Sequence, residues 1–101
     1  MGPLGSFVIE FVREAEADLD AIKPFHRNRI LDEIEVYLKR APERTSRSRL
    51  KRLNIMESPA YRLRVGDFRV YYDVEKTQRT VTVLRILSKE QSLVYLEEHK
   101  R

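Results

Sequence analysis

Cysteine is absent from this chain of 101 residues, so neither disulfides nor thiolate metal ligands can form. The two histidines, His26 and His99, lie far apart and lack the short spacing of a metal site. No apolar run approaches the length of a membrane span, and no apolar leader is present at the start. These absences predict a cytoplasmic protein that uses no metal or other cofactor and does not enter a membrane.

The first six residues, Met-Gly-Pro-Leu-Gly-Ser, are typical of a cloning and protease-site scar. The remaining chain, 7–101, has the length of a single domain with one modest core. Hydrophobic residues make up 42% and charged residues 36% of the sequence, a balance typical of a globular protein. We therefore expect a scar at 1–6 and one domain at 7–101.

The net charge of +4 is unevenly distributed. Nine acidic and six basic residues lie between Phe7 and Glu43, whereas seven acidic and fourteen basic residues lie between Arg44 and Arg101. Such an asymmetry indicates a face for a polyanion or an acidic partner. A mixed, merely solvated surface explains the composition equally well.

Hydrophobic periodicity predicts the elements in the order β-α-α-β-β-β-α. A strand is expected at 7–11, helices at 13–22 and 26–40 around Pro24, and a basic connector at 44–58 with a helical turn near Leu50 and Leu53. Strands follow at 61–65, 68–74 and 80–87, and Ser88 caps a last helix whose apolar residues are Leu93, Val94 and Leu96. The pattern predicts an α+β domain: a small antiparallel or mixed sheet with an N-terminal α-hairpin and a C-terminal helix.

The clearest signal is a β-hairpin at 61–74 with a two-residue turn at Gly66-Asp67. This turn would pair Arg64 with Arg69 and Leu63 with Val70. One face, predicted to be the core face, then carries Tyr61, Leu63, Val65, Phe68, Val70 and Tyr72. The opposite face carries Arg62, Arg64, Arg69, Tyr71 and Asp73.

Like charges directly opposite each other cost stability, so the pairing of Arg64 with Arg69 is better tolerated where an anion binds. Arginine offers a planar fork of donors suited to phosphate. The alternative is that these arginines form the solvated side of an amphipathic hairpin, which is common in antiparallel sheets. The residues themselves indicate an anion-binding face without naming its ligand.

The segment from Tyr61 to Val74 resembles the central hairpin of the RelE/ParE toxin family. The following strand, Thr80 to Ile86, and the upstream segment Leu50-Lys51-Arg52-Leu53 are also similar to that family in order and length. The resemblance implies a toxin of a type II toxin–antitoxin system, with a cognate antitoxin as partner. RelE-like members are ribosome-dependent, metal-independent endoribonucleases that cut mRNA by attack of the 2′-OH on the adjacent phosphate, whereas ParE-like members poison DNA gyrase.

The resemblance to RelE-like members assigns five catalytic positions: Arg62, Arg64, Arg69, Lys89 and Tyr95. Residues expected to contact RNA are Arg47, Arg49, Lys51, Arg52 and Tyr71, the last by stacking on a base. A tyrosine on a terminal helix also packs commonly into a core, so a structural role for Tyr95 stays open.

Three departures distinguish this chain from RelE-like members. Arg62 and Arg64 replace lysines, and because arginine holds its proton they cannot readily act as bases. Lys89 replaces an arginine, which exchanges a bidentate fork for a point charge. The Gly-His/Lys-Arg segment common after the last strand is here Leu87-Ser88-Lys89-Glu90-Gln91, and the hairpin turn is shorter. All five positions nevertheless hold chemically related residues, so we expect a ribosome-dependent mRNA endoribonuclease that inhibits translation. The alternatives are a ParE-like gyrase poison without nuclease activity and a degenerate member that only binds its antitoxin.

Overall fold

The computed structural model describes residues 5–54 and 56–99. Its strands are β1 (Val8–Phe11), β2 (Leu50–Arg52), β3 (Tyr61–Val65), β4 (Phe68–Glu75) and β5 (Thr80–Ser88). Its helices are α1 (Arg13–Asp20), α2 (Pro24–Leu38) and α3 (Lys89–His99).

The strands form one five-stranded sheet in the order β1-β5-β4-β3-β2. β1 pairs with β5 in parallel, and the other neighbours are antiparallel. The parallel pair requires a crossover, and the chain supplies it through the helices and the hairpin between β1 and β5. The expected α+β fold with a mixed sheet is confirmed.

The inner face of the sheet, the side covered by α1 and α2, carries the main core. Apolar residues from both helices meet alternate residues of the strands there, as the 3.6-residue and two-residue periods require. The fully buried members include Ala15, Ile30, Leu38, Leu63 and Val70. This core determines which side of the β3–β4 hairpin faces away from α1 and α2.

The outer face, the opposite side of the sheet, is covered only in part by α3. Ser88 and Gln91 form a reciprocal capping box at the start of this helix: Gln91 N–H donates to Ser88 Oγ at 3.1 Å, and Ser88 N–H donates to Gln91 Oε1 at 3.0 Å. The predicted cap at Ser88 is confirmed. The cap turns the chain directly from β5 into α3 and lays the helix back over the sheet.

The predicted helical turn near Leu50 and Leu53 is wrong, because Leu50–Arg52 forms the edge strand β2. Leu50 lies opposite Leu63 and is buried on the inner face. Arg64 N–H donates to Arg49 O at 2.7 Å, which extends the ladder by one residue. Pairing with β3 therefore outweighs the weak local preference of this basic segment.

Two helix predictions also need correction. α2 begins at Pro24, two residues before the predicted start, since the fixed φ of proline suits the first helical turn. In α3, Leu93 and Val94 are 66% and 59% exposed, whereas Ser92 and Tyr95 are buried. The sheet-facing side of α3 is thus built around Ser92 and Tyr95, and of the three predicted apolar residues Leu96 packs there, whereas Leu93 and Val94 face solvent.

Candidate nucleic-acid interface

The predicted register of the β3–β4 hairpin is confirmed, with Arg64 opposite Arg69 and Arg62 opposite Tyr71. Gly66 in the turn has φ +56°, a left-handed conformation that glycine adopts without steric cost. Leu63, Val70 and Tyr72 are buried on the inner face as predicted, whereas Tyr61 is half-buried. The hairpin arginines consequently belong to the outer face.

Neighbouring strands continue this outer face in two rows. The first runs Lys51, Arg62, Tyr71 and Arg85 across β2, β3, β4 and β5; the second runs Arg64, Arg69 and Leu87 across β3, β4 and β5. A bulge in β5 follows the first row, because the register shifts between the pairs Tyr71–Arg85 and Tyr72–Val83. Each row begins with cations on the side of the sheet nearer β2. The first row reaches the cluster of Tyr71, Leu87 and Tyr95 at Tyr71, and the second row reaches it at Leu87.

Arg62 lies at the centre of the cationic half of the face. Burial lowers the pKa of the Arg62 guanidinium, and the neighbouring charges of Arg69 and Arg64 lower this pKa further. Its Nη2 donates to Ser48 O at 3.0 Å, while its Nε is buried without a hydrogen-bond partner among the described residues. An unpaired buried donor is costly, and an anion bound over this cluster would offset the repulsion among Arg62, Arg64 and Arg69.

The hairpin turn holds Arg69 and places Lys89 nearby. Arg69 Nη1 donates to the carbonyl oxygens of Gly66 and Phe68, both at 3.0 Å, so the guanidinium is fixed against the turn. Lys89 N–H donates to Asp67 O at 2.8 Å, which joins the start of α3 to the same turn. Four of the five expected catalytic residues are therefore grouped around the hairpin: Arg62, Arg64, Arg69 and Lys89.

The four expected RNA-binding cations before β3 are all exposed, but they point in different directions. Lys51 shares the outer face with Arg62. Arg49 donates to Tyr37 Oη at 2.5 Å, with its guanidinium 4.7 Å from the ring centre of that helical tyrosine. Arg52 lies 5.1 Å from the ring centre of Tyr61, and Arg47 lies in the loop before β2. Only Lys51 directly extends the cluster around Arg62.

The expected stacking of a base on Tyr71 disagrees with the structure, in which Tyr71 is 0% exposed. α3 covers its ring: the hydroxyls of Tyr71 and Ser92 share a hydrogen bond, and the ring of Tyr95 lies 5.0 Å from that of Tyr71. Together with Leu87, these aromatic rings form a small second core. Tyr71 therefore packs against α3 beside the cationic residues and presents no surface on which a base could stack.

Tyr95 is 8% exposed and packs between Tyr71 and His99. Burial raises the pKa of its phenol. The packing role that the sequence left open agrees with this position. Proton transfer by Tyr95 would require α3 to move away from the sheet.

An ion pair that the sequence analysis missed ties α1 to the strand beside this face. Arg85 donates to both carboxylate oxygens of Asp18, at 2.8 and 3.0 Å, and Ile86 N–H donates to Asp18 Oδ2 at 2.9 Å. The hydrogen bond to Asp18 raises the pKa of Arg85. Asp18 thus caps the edge of β5 beyond the end of β1, and it engages Arg85 in a structural contact.

Residues 5–54 and 56–99 contain neither a metal-binding group of side chains nor a membrane-spanning helix. No group of three or more His, Asp or Glu side chains in these ranges is arranged to hold a metal ion. No helix within them is long and apolar enough to cross a bilayer.

The sequence of residues 9–93 matches the family described as the ParE toxin of the type II toxin–antitoxin system parDE. The match spans most of the chain, so this protein belongs to that family of toxins, within the RelE/ParE superfamily. No curated protein matches the chain significantly.

Solved structures share the fold. The toxin–antitoxin complex RelBE2 from Mycobacterium tuberculosis contains a chain that is 22% identical, with a TM-score of 0.71, and the match covers 87% of this chain and 97% of that one. A chain of the archaeal RelE–RelB complex from Pyrococcus horikoshii OT3 is 19% identical, with a TM-score of 0.61, and the match covers 83% of this chain and 96% of that one. A double mutant of the Escherichia coli toxin RelE in the free state is 18% identical, with a TM-score of 0.56, and the match covers 89% of this chain and 90% of that one. At these identities the likeness concerns the fold.

Proposed function

We propose that this toxin is a metal-independent endoribonuclease that cuts ribosome-bound mRNA and so inhibits translation. The observation that carries the proposal is the arrangement around Arg62, whose guanidinium lies among Arg64, Arg69 and Lys51 and whose buried Nε has no partner among the described residues. Phosphate is the polyanion that best fits several convergent guanidinium groups. The scissile phosphodiester would lie over Arg62 and Arg69.

In the proposed reaction the ribose 2′-oxygen forms a bond to phosphorus, and the bond from phosphorus to the 5′-oxygen breaks. The 2′ proton leaves to a base, and the departing 5′-oxygen takes up a proton. The products are a 2′,3′-cyclic phosphate and a 5′-hydroxyl. Negative charge grows on the phosphoryl oxygens in the transition state, where preorganised cations lower the barrier most; Arg69, held at the turn by two carbonyls, is the best-fixed of these cations.

Proton transfer needs groups other than the arginines, because a guanidinium holds its proton. The lysines of this region have a transferable proton. Lys51 lies opposite Arg62 on the same face, and Lys89 lies beside the turn. We assign protonation of the departing 5′-oxygen to one of these ammonium groups and acceptance of the 2′ proton to the ribosomal environment of the substrate.

A cognate antitoxin is the expected partner, since the structural neighbours from M. tuberculosis and P. horikoshii are toxin–antitoxin complexes. An acidic and apolar antitoxin segment would neutralise the cationic face by covering it. The ribosome as target places the toxin in the cytoplasm.

A reconstituted cleavage assay tests the proposal. Purified toxin is added to ribosomes programmed with a defined mRNA, and new RNA ends are mapped by primer extension for the wild type, Arg69→Ala and Arg13→Ala. Arg13 is an exposed residue at the start of α1 and serves as the control. We expect new ends with the wild type and Arg13→Ala only; wild-type toxin that leaves the mRNA intact would contradict the proposal.

The second candidate function is a gyrase poison. Two observations favour it: the matching family is described by the ParE toxin, and the Tyr95 side chain is packed between α3 and the sheet, against Tyr71, instead of lying on the cationic face. A supercoiling assay with DNA gyrase distinguishes the two functions. Gyrase inhibition by a toxin that leaves ribosome-bound mRNA intact would establish this alternative.

A further inference from the structure

A second cationic cleft lies at the rim of the sheet, between α2 and the tip of the hairpin. Arg29, Glu33, Ser48, Arg49, Arg64 and Gly66 line this cleft of about 240 Å³. Three arginines and a single glutamate therefore line the cleft. Arg64 belongs both to this cleft and to the cluster around Arg62, so the two cationic regions are continuous.

Two of the three arginines in the cleft are held in place by α2. Arg29 Nε pairs with Glu33 Oε2 at 3.1 Å. The Arg29 guanidinium then extends over the turn, where a Cβ placed on Gly66 would lie 3.0 Å from Arg29 Nη1. Arg49 is fixed by its stacking and hydrogen bond to Tyr37. Such anchoring reduces the entropy lost when the side chains bind a ligand.

The carboxylate of Glu33 does not cancel the charge of the cleft, because it is engaged by one arginine only and two more guanidinium groups remain. A net positive cleft that continues the proposed scissile-phosphate face fits the polyanionic backbone of RNA. We propose that this cleft binds an mRNA backbone phosphate next to the scissile one, with Arg29 as its principal contact. The inference rests on the proposed nuclease function and adds a residue from the acidic N-terminal half of the chain to the RNA path.

A backbone-neutralisation scan tests the role of Arg29. Ribosome-bound mRNAs that each carry one uncharged methylphosphonate linkage near the cleavage position are cut by the wild type, Arg29→Gln, Arg29→Lys and Arg13→Gln. The wild type should lose roughly tenfold in kcat/KM at one linkage other than the scissile one, the size expected for a charge-assisted contact. Arg29→Gln should lose about as much on unmodified mRNA and show no further loss at that linkage.

The controls separate the possible outcomes. Arg29→Lys keeps the charge and should restore most of the sensitivity to that linkage, and Arg13→Gln should match the wild type throughout. Unchanged linkage sensitivity in Arg29→Gln would overturn the proposal, as would a loss confined to antitoxin affinity. Because the Arg29 side chain is 55% exposed, a melting curve for Arg29→Gln should match that of the wild type.

Failure of the cleft proposal is distinguishable from failure of the nuclease proposal. Wild-type toxin that cuts none of the mRNAs overturns both. Wild-type toxin that cuts unmodified mRNA, with a linkage profile independent of Arg29, overturns the cleft alone.

Discussion

The two faces of the sheet differ in what their side chains do. The inner face buries Leu63, Val70 and Tyr72 against two helices and joins a continuous core. On the outer face, Tyr71 and Leu87 are buried against Tyr95 of the short helix α3, and beside them like charges lie on adjacent strands. The inner face stabilises the fold, whereas the outer face retains repulsion between like charges, which a bound anion would reduce.

This contrast arises from the hairpin alone, because successive residues of a strand point to opposite sides. Leu63 lies between Arg62 and Arg64, so core side chains alternate with the arginines proposed to bind RNA along β3. Substitutions on the two faces should therefore affect different measurements.

The largest effect is expected from Arg69→Ala on the outer face. Loss of a preorganised donor to the transition state costs about 3–4 kcal/mol of barrier, or roughly two to three orders of magnitude in cleavage rate. Stability should change little, because the loss of the two bonds to the turn is offset by relief of repulsion with Arg64. A growth-arrest assay paired with a melting curve checks both; an inactive variant that has also unfolded would make Arg69 structural.

Leu63→Ala tests the inner face. Leu63 is 0% exposed, and a Leu→Ala change at such a site destabilises by about 3 kcal/mol through lost burial and the cavity left behind. Urea denaturation measures this change in the free energy of unfolding. A loss under about 1 kcal/mol would show that the hairpin contributes less to the core than its burial indicates.

Asp18→Ala tests the link between α1 and the edge of β5. The change leaves Arg85 and the Ile86 N–H without their acceptor, and we expect a loss of about 2 kcal/mol in the free energy of unfolding. Asp20→Ala, at an exposed position of the same helix, is the matched control and should change stability by about 0.5 kcal/mol or less. Equal effects of the two substitutions would exclude a special role for Asp18.

Ser88→Ala should give the smallest effect. Removal of the capping hydroxyl costs about 1 kcal/mol, and the cost should be concentrated in α3, which depends on the Ser88–Gln91 box. Amide hydrogen exchange should therefore accelerate in α3 while the inner-face strands stay protected. Uniform acceleration across the sheet would show that α3 and the main core unfold together.

The hairpin could be predicted from the sequence because a two-residue turn and strict alternation leave one register. β2 could not, because a three-residue edge strand has too few residues for a period to be visible; its strand conformation depends on pairing with β3. The burial of Tyr71 depends on Ser92, a small polar residue that hydrophobic patterning does not count. Alternation correctly placed Tyr71 opposite the core, but it gave no information on whether a helix covers that side.

The cationic residues could likewise be predicted only in part from the sequence. Arg62, Arg64 and Arg69 could be placed together because they share one hairpin. Arg29 could not be added from sequence, since it belongs to the acidic half of the chain and reaches the turn only through the packing of α2. Long-range placement of this kind follows from the tertiary fold, which local periodicity does not describe.

The central claim is that the outer face promotes attack of a ribose 2′-oxygen on the adjacent phosphate. Its most direct test is a ribosome-bound mRNA with a single 2′-deoxy nucleotide at the mapped cleavage position, compared with an mRNA that carries the substitution two nucleotides away. The account predicts that the first substitution abolishes cleavage at that position, that the second leaves it intact, and that the products of unmodified mRNA carry a 2′,3′-cyclic phosphate and a 5′-hydroxyl. Cleavage at the deoxy-substituted position would contradict the account.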